Sequence, residues 1–142
     1  MDELWLIGRI LYCSLFIGAG VGQLVDLDGS IRYAESRGIG QSAQAGVITS
    51  GVAFVVGAIS IIFGIWDDLG ALLLIITLIP LTFLMHKFWA ERDPLDRQTQ
   101  MSMFMKNIAL IGGAVLIFSW FARDTNGAGL PYTITDGAFG FR

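Results

Sequence analysis

Long stretches with almost no charge divide the chain into four apolar segments separated by short polar ones. The apolar segments cover residues 4–27, 45–66, 69–89 and 101–122. A helix needs about 20 predominantly apolar residues to cross the hydrocarbon core of a bilayer. Each segment is long enough, so the pattern predicts an all-α fold, an integral membrane four-helix bundle with antiparallel spans.

The polar segments predict how the spans are joined. Within the first, residues 28–44, the stretch 31–37 suits a short interfacial helix that ends at Gly38. The pair 67–68 consists of two aspartates and predicts a tight turn in which they cap a helix. Residues 90–100 predict a second polar loop.

The last residues, 124–142, are rich in glycine and aromatic side chains and have no helical period. We expect an extended tail that lies on the membrane surface or against a partner. No polar linker separates a second module, so residues 1–142 are predicted to form a single transmembrane domain.

Small residues recur at spacings that favour close helix packing. They are Gly18 and Gly22 in the first span, with Gly20 between them, and Gly46, Ser50, Ala53 and Gly57 in the second. Small side chains let helices approach closely in lipid, where packing drives association. We therefore expect both stripes to face neighbouring helices.

Composition supports the membrane assignment. Hydrophobic residues make up 54% of the chain and charged residues 15%, whereas a soluble domain carries about 25% charged residues. A net charge of −3 without a basic block argues against nucleic acid as a partner. The single cysteine, Cys13, excludes an intramolecular disulfide, and its apolar surroundings predict a small buried side chain.

The cations predict the orientation, because four spans place both termini on one side of the membrane. Loop-side cations are Arg32, Arg37, Lys87, Arg92, Arg97 and Lys106, and the others are Arg9, Arg123 and Arg142. Cytoplasmic loops carry the excess of Lys and Arg. The distribution favours a multi-pass protein of the cell membrane with loops 28–44 and 90–100 in the cytoplasm and both termini outside.

Candidate chemistry gathers on the loop side, where the third span ends at the only histidine, His86. The first span ends near Gln23, Trp89 follows His86, and Lys106 and Asn107 lie one turn inside the predicted fourth span. Polar groups within spans usually face the bundle interior. A histidine can donate a hydrogen bond and exchange a proton near neutral pH, and a tryptophan can stack on a ring. These five residues predict one end of a site for a ligand headgroup.

A structural interpretation of the same residues stays open. Trp89 suits the aromatic belt of a membrane protein, and Lys106 can extend to lipid phosphates. His86 can bond to Asn107 or to a loop carbonyl and so lock the third and fourth helices together. Arg9, in the first span, is expected to extend outward or to pair with one of the two aspartates at 67–68.

The motifs resemble, in order and spacing, those of the DoxX family of small four-helix membrane proteins. The motifs are Gly8-Arg9, Phe16-Ile17-Gly18, Gly22-Gln23-Leu24, the run 33–38, His86-Lys87-Phe88-Trp89, the run 104–110, Gly112-Gly113, the run 127–129 and Thr135-Asp136. The chain departs from the pattern at Gln23, where many relatives resemble Gly-x-x-Lys-Leu and carry a cation.

The resemblance implies a redox-associated role. Some members resemble the membrane subunit of a thiosulfate:quinone oxidoreductase, and others are linked to thiol and oxidative-stress complexes. The chain has no cofactor-binding glycine loop, no pair of histidines for a haem and no cysteine cluster for a metal. We therefore expect no covalently bound cofactor and no metal site, with quinone as the candidate ligand.

The leading hypothesis is an integral membrane subunit of a quinone-linked redox complex, which anchors larger redox proteins and contributes to a quinone or lipid site. The alternative is a purely structural accessory subunit with no chemistry of its own. Whether the chain is an enzyme is left open, although an accessory or anchor subunit is favoured over a catalyst acting alone. A small-solute carrier is disfavoured because no polar stripe runs through any span.

Overall fold

The computed structural model describes residues 2–122, 132–135 and 137–139. The helices are α1 (Asp2–Val25), α2 (Leu27–Ser36), α3 (Ala43–Phe63), α4 (Asp67–Met85) and α5 (Pro94–Phe121), with a short 3₁₀ helix at Phe88–Ala90. Arg123, the motif 127–129 and Asp136 lie outside the described residues.

Four of these helices are long and apolar enough to cross a membrane. They are α1, α3, α4 (continued through the 3₁₀ helix) and α5. The predicted all-α membrane bundle is thus confirmed. A short helix is also found in the first polar segment as α2, but it begins at Leu27 rather than at residue 31, and its interfacial position stays a prediction. The chain turns away after it at Gly38, whose φ of 86° suits glycine.

The helices pack in the order α1, α3, α4, α5, and α2 lies against the start of α3. Cys13 and Phe16 of α1 enter a core with Phe54 of α3 and Leu74 of α4, which confirms that Cys13 is buried. On the far side, α1 and α5 meet through long side chains. Trp5 stacks on Trp120 with ring centroids 4.6 Å apart, and the Tyr12 hydroxyl donates to the carbonyl of Leu110.

Only part of the small-residue prediction for α1 is correct. Gly20 faces α3 so closely that an added Cβ would lie 2.6 Å from the carbonyl oxygen of Gly51. An added Cβ at Gly18 or Gly22 would meet nothing within 4 Å, so these two glycines do not pack on a helix of this chain. In α3, Ser50, Ala53 and Gly57 are buried as expected, whereas Gly46 is exposed and an added Cβ there would meet nothing within 4 Å, so its place in the stripe was wrong.

The fourth span begins seven residues earlier than the apolar pattern indicates, at Pro94. Asp93 caps it, because its Oδ2 accepts from the backbone N–H groups of Leu95 and Asp96, each at 3.0 Å. Proline at the first helical position is typical of this kind of start. Lys106 therefore lies about three turns inside the helix rather than one.

Arg9 is buried at the end of the bundle opposite the loops, with 3% of its surface exposed. Its Nε donates to the carbonyl of Ile61 at 2.7 Å, its Nη2 to Ile62 at 2.9 Å and its Nη1 to Tyr132 at 3.1 Å. Its guanidinium also lies 5.3 Å from the ring centre of Phe121. The expectation that Arg9 extends outward is therefore wrong.

The predicted turn at 67–68 is wrong, because the α3–α4 turn covers residues 64–66 and the two aspartates are the first residues of α4. The capping position is Trp66, and both aspartates are buried. Asp67 attracts Arg9 electrostatically, and its Oδ2 accepts no hydrogen bond within the described part of the chain. Asp68 accepts from the N–H of Leu69 at 2.8 Å and from the N–H of Phe139 at 2.7 Å. The start of α4 thus places two buried acidic groups at the end of the bundle that holds Arg9.

The described part of the tail, residues 132–135 and 137–139, packs against Arg9 and Asp68. The N–H groups of Ile134 and Thr135 both donate to the carbonyl of Gly64, at 2.9 and 3.0 Å. These residues pack on the end of their own bundle, and contact with the membrane surface or with a partner stays a prediction.

Gly64→Ala is expected to detach the tail. Gly64 has a φ of 61°, and an added Cβ would lie 2.5 Å from the Cα of Thr133, so alanine costs about 1–3 kcal/mol here. Chymotryptic cleavage after Tyr132 should accelerate several-fold in detergent-solubilised protein. Gly40→Ala, where nothing lies within 4 Å, should cleave like the wild type. Equal cleavage rates for the two variants would contradict the packing of the tail on the bundle.

Candidate functional site

A cavity of about 680 Å³ lies on the loop side of the bundle, between the end of α1 and helices α2, α3 and α4. We call it the loop-side cavity. Apolar side chains such as Val47, Leu81 and Leu84 contribute to its wall, and Gln23, Ser50, Thr77 and His86 are among its polar members. Sites for small ligands commonly enclose about 300–1,000 Å³ and combine an apolar wall with a few polar groups.

A helix break opens this cavity. Helix α1 ends at Val25, and Asp26 caps the following helix because its Oδ1 accepts from the N–H of Gly29 at 3.1 Å. Gln23 and Tyr33, on either side of the break, both line the cavity. The change of direction therefore leaves space that a continuous helix would fill.

Polar groups on α1, α3 and α4 face the cavity. The hydroxyl of Ser50 donates to Oε1 of Gln23 at 3.2 Å, which orients the amide. Pro80 lacks an N–H, so the carbonyl of Ile76 loses its usual helical donor, and both residues line the cavity. The sequence indicated Gln23, but the part played by Ser50 depends on the helix packing.

His86 follows the last residue of α4 and lines the same cavity. Its Nδ1 lies 2.9 Å from Oε1 of Gln100 on α5. The expected bond to Asn107 or to a loop carbonyl is therefore wrong. Among the described residues, none makes a hydrogen bond to Nε2 of His86, so that nitrogen is the one available to a ligand.

Arg37 joins the helices around His86. Its Nε donates to the carbonyl of Met85, at the end of α4, at 2.7 Å. Its Nη1 also lies 2.7 Å from Oε1 of Glu91, with both side chains mostly buried. Arg37 thus fixes the end of α2 to the end of α4, beside the cavity wall. The sequence indicates Arg37 as a loop cation but does not indicate these contacts.

The other predicted site residues lie outside the cavity wall. Trp89 is exposed and packs edge-on against Phe88 and Phe104, with centroids 5.2 and 5.9 Å apart. Lys106 is exposed, and its Nζ lies 3.5 Å from Sδ of Met103. Asn107 is buried in α5. The structure brings Gln23 and His86 together, and ligand binding by the remaining three stays a prediction.

Within the described residues, no three histidine, cysteine, aspartate or glutamate side chains are grouped so that they could hold a metal ion. The residues that line the loop-side cavity can supply hydrogen bonds, proton exchange and apolar contact.

Comparison with known proteins identifies the family. The sequence model of the DoxX family matches residues 4–87, more than half of the chain. The chain belongs to the DoxX family. The matched residues include Gln23 and His86 of this DoxX protein, whereas α5, with Gln100, lies beyond them. No curated protein and no solved structure matched the chain.

Proposed function

We propose that this DoxX protein is the membrane subunit of a quinone-linked redox complex and that its loop-side cavity receives a quinone headgroup. The observation that carries the proposal is a cavity of about 680 Å³ in a membrane bundle, with an apolar wall and a histidine in it. A quinone is a flat, largely apolar ring with two carbonyl acceptors. It needs an apolar slot and hydrogen-bond donors, and the wall offers both.

Two side chains on different helices can hold the ring carbonyls. His86, just after α4, has Nε2 available, and this nitrogen donates a hydrogen bond when the ring is charged, because Nδ1–H faces Oε1 of Gln100. Gln23 uses Oε1 to accept from Ser50, which leaves its NH₂ group to donate to a ligand. The apolar wall excludes water, which strengthens both hydrogen bonds. A bound quinone would supply the two-electron chemistry, which side chains cannot supply.

Electrons must come from another protein in this proposal. The sequence has one histidine and one cysteine, so it cannot bind a bis-histidine haem or a cysteine-ligated cluster by itself. We propose that a larger redox protein docks on the loop side, where the cavity and the exposed Trp89 lie. By the positive-inside rule, this side is the cytoplasmic face of the cell membrane.

His86→Ala is expected to lower the quinone content of the purified protein about ten-fold, because one hydrogen bond of about 1.4 kcal/mol is lost. The measurement is extraction of quinone from protein purified in mild detergent, with the melting temperature recorded in parallel. Lys87→Ala is the matched control, since Lys87 is the next residue but does not line the cavity. Equal quinone content in both variants would contradict the proposal.

A structural subunit is the second candidate, and one observation favours it. The hydrogen bond between His86 and Gln100 connects the end of α4 to α5. The ion pair Arg37–Glu91 connects α2 to the loop between α4 and α5. If these contacts serve only to hold helices together, the wild type will bind no added quinone. His86→Ala will then lower the melting temperature without changing ligand content.

A further inference from the structure

Gln100 supports His86 from a fixed position. It is the seventh residue of α5, whose start is held by the Asp93 cap. Its Oε1 lies 2.9 Å from Nδ1 of His86, and both side chains are partly buried. Because this bond holds one ring nitrogen, the orientation of the other nitrogen towards the cavity depends on Gln100.

The charged groups around the ring cannot replace this contact. Lys106 of α5 and Arg37 at the end of α2 act on His86 electrostatically, and Glu91 is paired with Arg37 at 2.7 Å. Lysine and arginine have donors only, so neither can accept a hydrogen bond from Nδ1–H. Gln100 is therefore the side chain whose chemistry decides how the ring is held.

An amide differs from a carboxylate as a partner for histidine. Glutamine carries an acceptor oxygen and an NH₂ donor, so it can pair with Nδ1 whether or not that nitrogen bears a proton. A carboxylate only accepts and attracts positive charge, so it favours the charged ring. A neutral partner fixes the orientation of the ring and leaves its charge free to change.

We propose that Gln100 is a positioning residue that aims Nε2 of His86 into the loop-side cavity and lets the ring exchange one proton with a ligand oxygen. The inference rests on the proposed quinone site. In quinone reduction, the charged ring, whose Nδ1–H donates to Oε1 of Gln100, would lose its Nε2–H proton as an O–H bond forms on the ligand, and the ring would become neutral. Two electrons come from an electron carrier of the partner protein and the second proton from water. In quinol oxidation every transfer runs in reverse.

Because the sequence has one histidine, the NMR signals of its imidazole ring need no assignment. In protein labelled with ¹⁵N-histidine, the imidazole spectrum reports the tautomer and charge of His86 alone, because the chain has one histidine. We would record it across pH 5–9 for the wild type, Gln100→Ala and Gln100→Glu. Gln98→Ala and Gln98→Glu are the controls, since Gln98 lies on α5 two residues away and is exposed.

Gln100→Ala is expected to convert one dominant neutral tautomer into a mixture. Gln100→Glu is expected to keep the ring charged at pH values at which the wild-type ring is neutral. Both Gln98 variants should match the wild type. A tautomer ratio that Gln100→Ala leaves unchanged would overturn the positioning role, whatever the protein binds.

A binding experiment separates this inference from the proposed function. Tryptophan fluorescence would monitor how a short-chain benzoquinone binds to the same variants. Gln100→Ala should bind about ten-fold more weakly, and Gln100→Glu should lose the pH dependence of the wild type. If no variant, including the wild type, binds the benzoquinone, the proposed function fails. If all bind it alike at every pH, the quinone site stands and the role of Gln100 is refuted.

Discussion

Arg9→Ala is expected to lower the free energy of unfolding by about 3–5 kcal/mol, the cost of removing one partner from a buried charged cluster. The substitution removes the guanidinium that donates to the carbonyls of Ile61, Ile62 and Tyr132. It also leaves the buried Asp67 without the cation that attracts it. Arg9→Lys should recover little of the loss, because an ammonium group cannot reproduce the planar fork that reaches three acceptors.

The measurement for Arg9 is equilibrium unfolding in mixed micelles, followed by helix content. Arg32→Ala is the matched control, because Arg32 is exposed on α2 and its removal should change stability by less than about 0.5 kcal/mol. Adding Asp67→Asn to Arg9→Ala should restore part of the loss, since it removes the unbalanced charge. Similar stability for Arg9→Ala and Arg32→Ala would refute the structural account of this cluster.

Gly20→Ala is expected to destabilise the bundle by about 1–3 kcal/mol, whereas Gly22→Ala should be neutral or slightly stabilising. The added Cβ at position 20 would lie 2.6 Å from the backbone oxygen of Gly51, so α1 must move away from α3. At position 22 the same methyl group meets nothing within 4 Å. Both substitutions gain the same helix propensity, so the difference between them isolates packing.

Thermal unfolding of the two variants in one detergent tests this prediction. Gly20→Ala should melt several degrees below Gly22→Ala. If Gly22→Ala were the less stable of the two, its face of α1 would be in contact with something other than this chain, and a second copy or a partner helix would need to be sought.

The four spans were predictable because their length and lack of charge leave few alternatives. Which face of α1 meets α3 was not, because Gly18 and Gly22 share one face, Gly20 lies on another, and spacing alone does not choose between them. The same limit applies to Arg9. A cation in an apolar helix needs hydrogen-bond acceptors, but the three described acceptors of Arg9 lie more than fifty residues away in sequence.

The partner of His86 was missed for a definite reason. The first two turns of α5 are polar, so an apolar pattern places the start of the span at residue 101 and leaves Gln100 in a loop. The apolar run follows the hydrocarbon core of the bilayer, whereas the helix extends into the interface. Asp93-Pro94, a capping residue before proline, was the signal that could have moved the start and brought Gln100 to the histidine.

The hydrogen bond from Arg9 to the carbonyl of Tyr132 also bears on biogenesis. The two residues are 123 positions apart, so the ribosome makes Arg9 long before its last acceptor. The carbonyls of Ile61 and Ile62 become available with the second span, and the final one only after the fourth has been made. A nascent chain therefore enters the bilayer with this arginine incompletely satisfied, and completion of the C-terminal segment coincides with closure of the bundle.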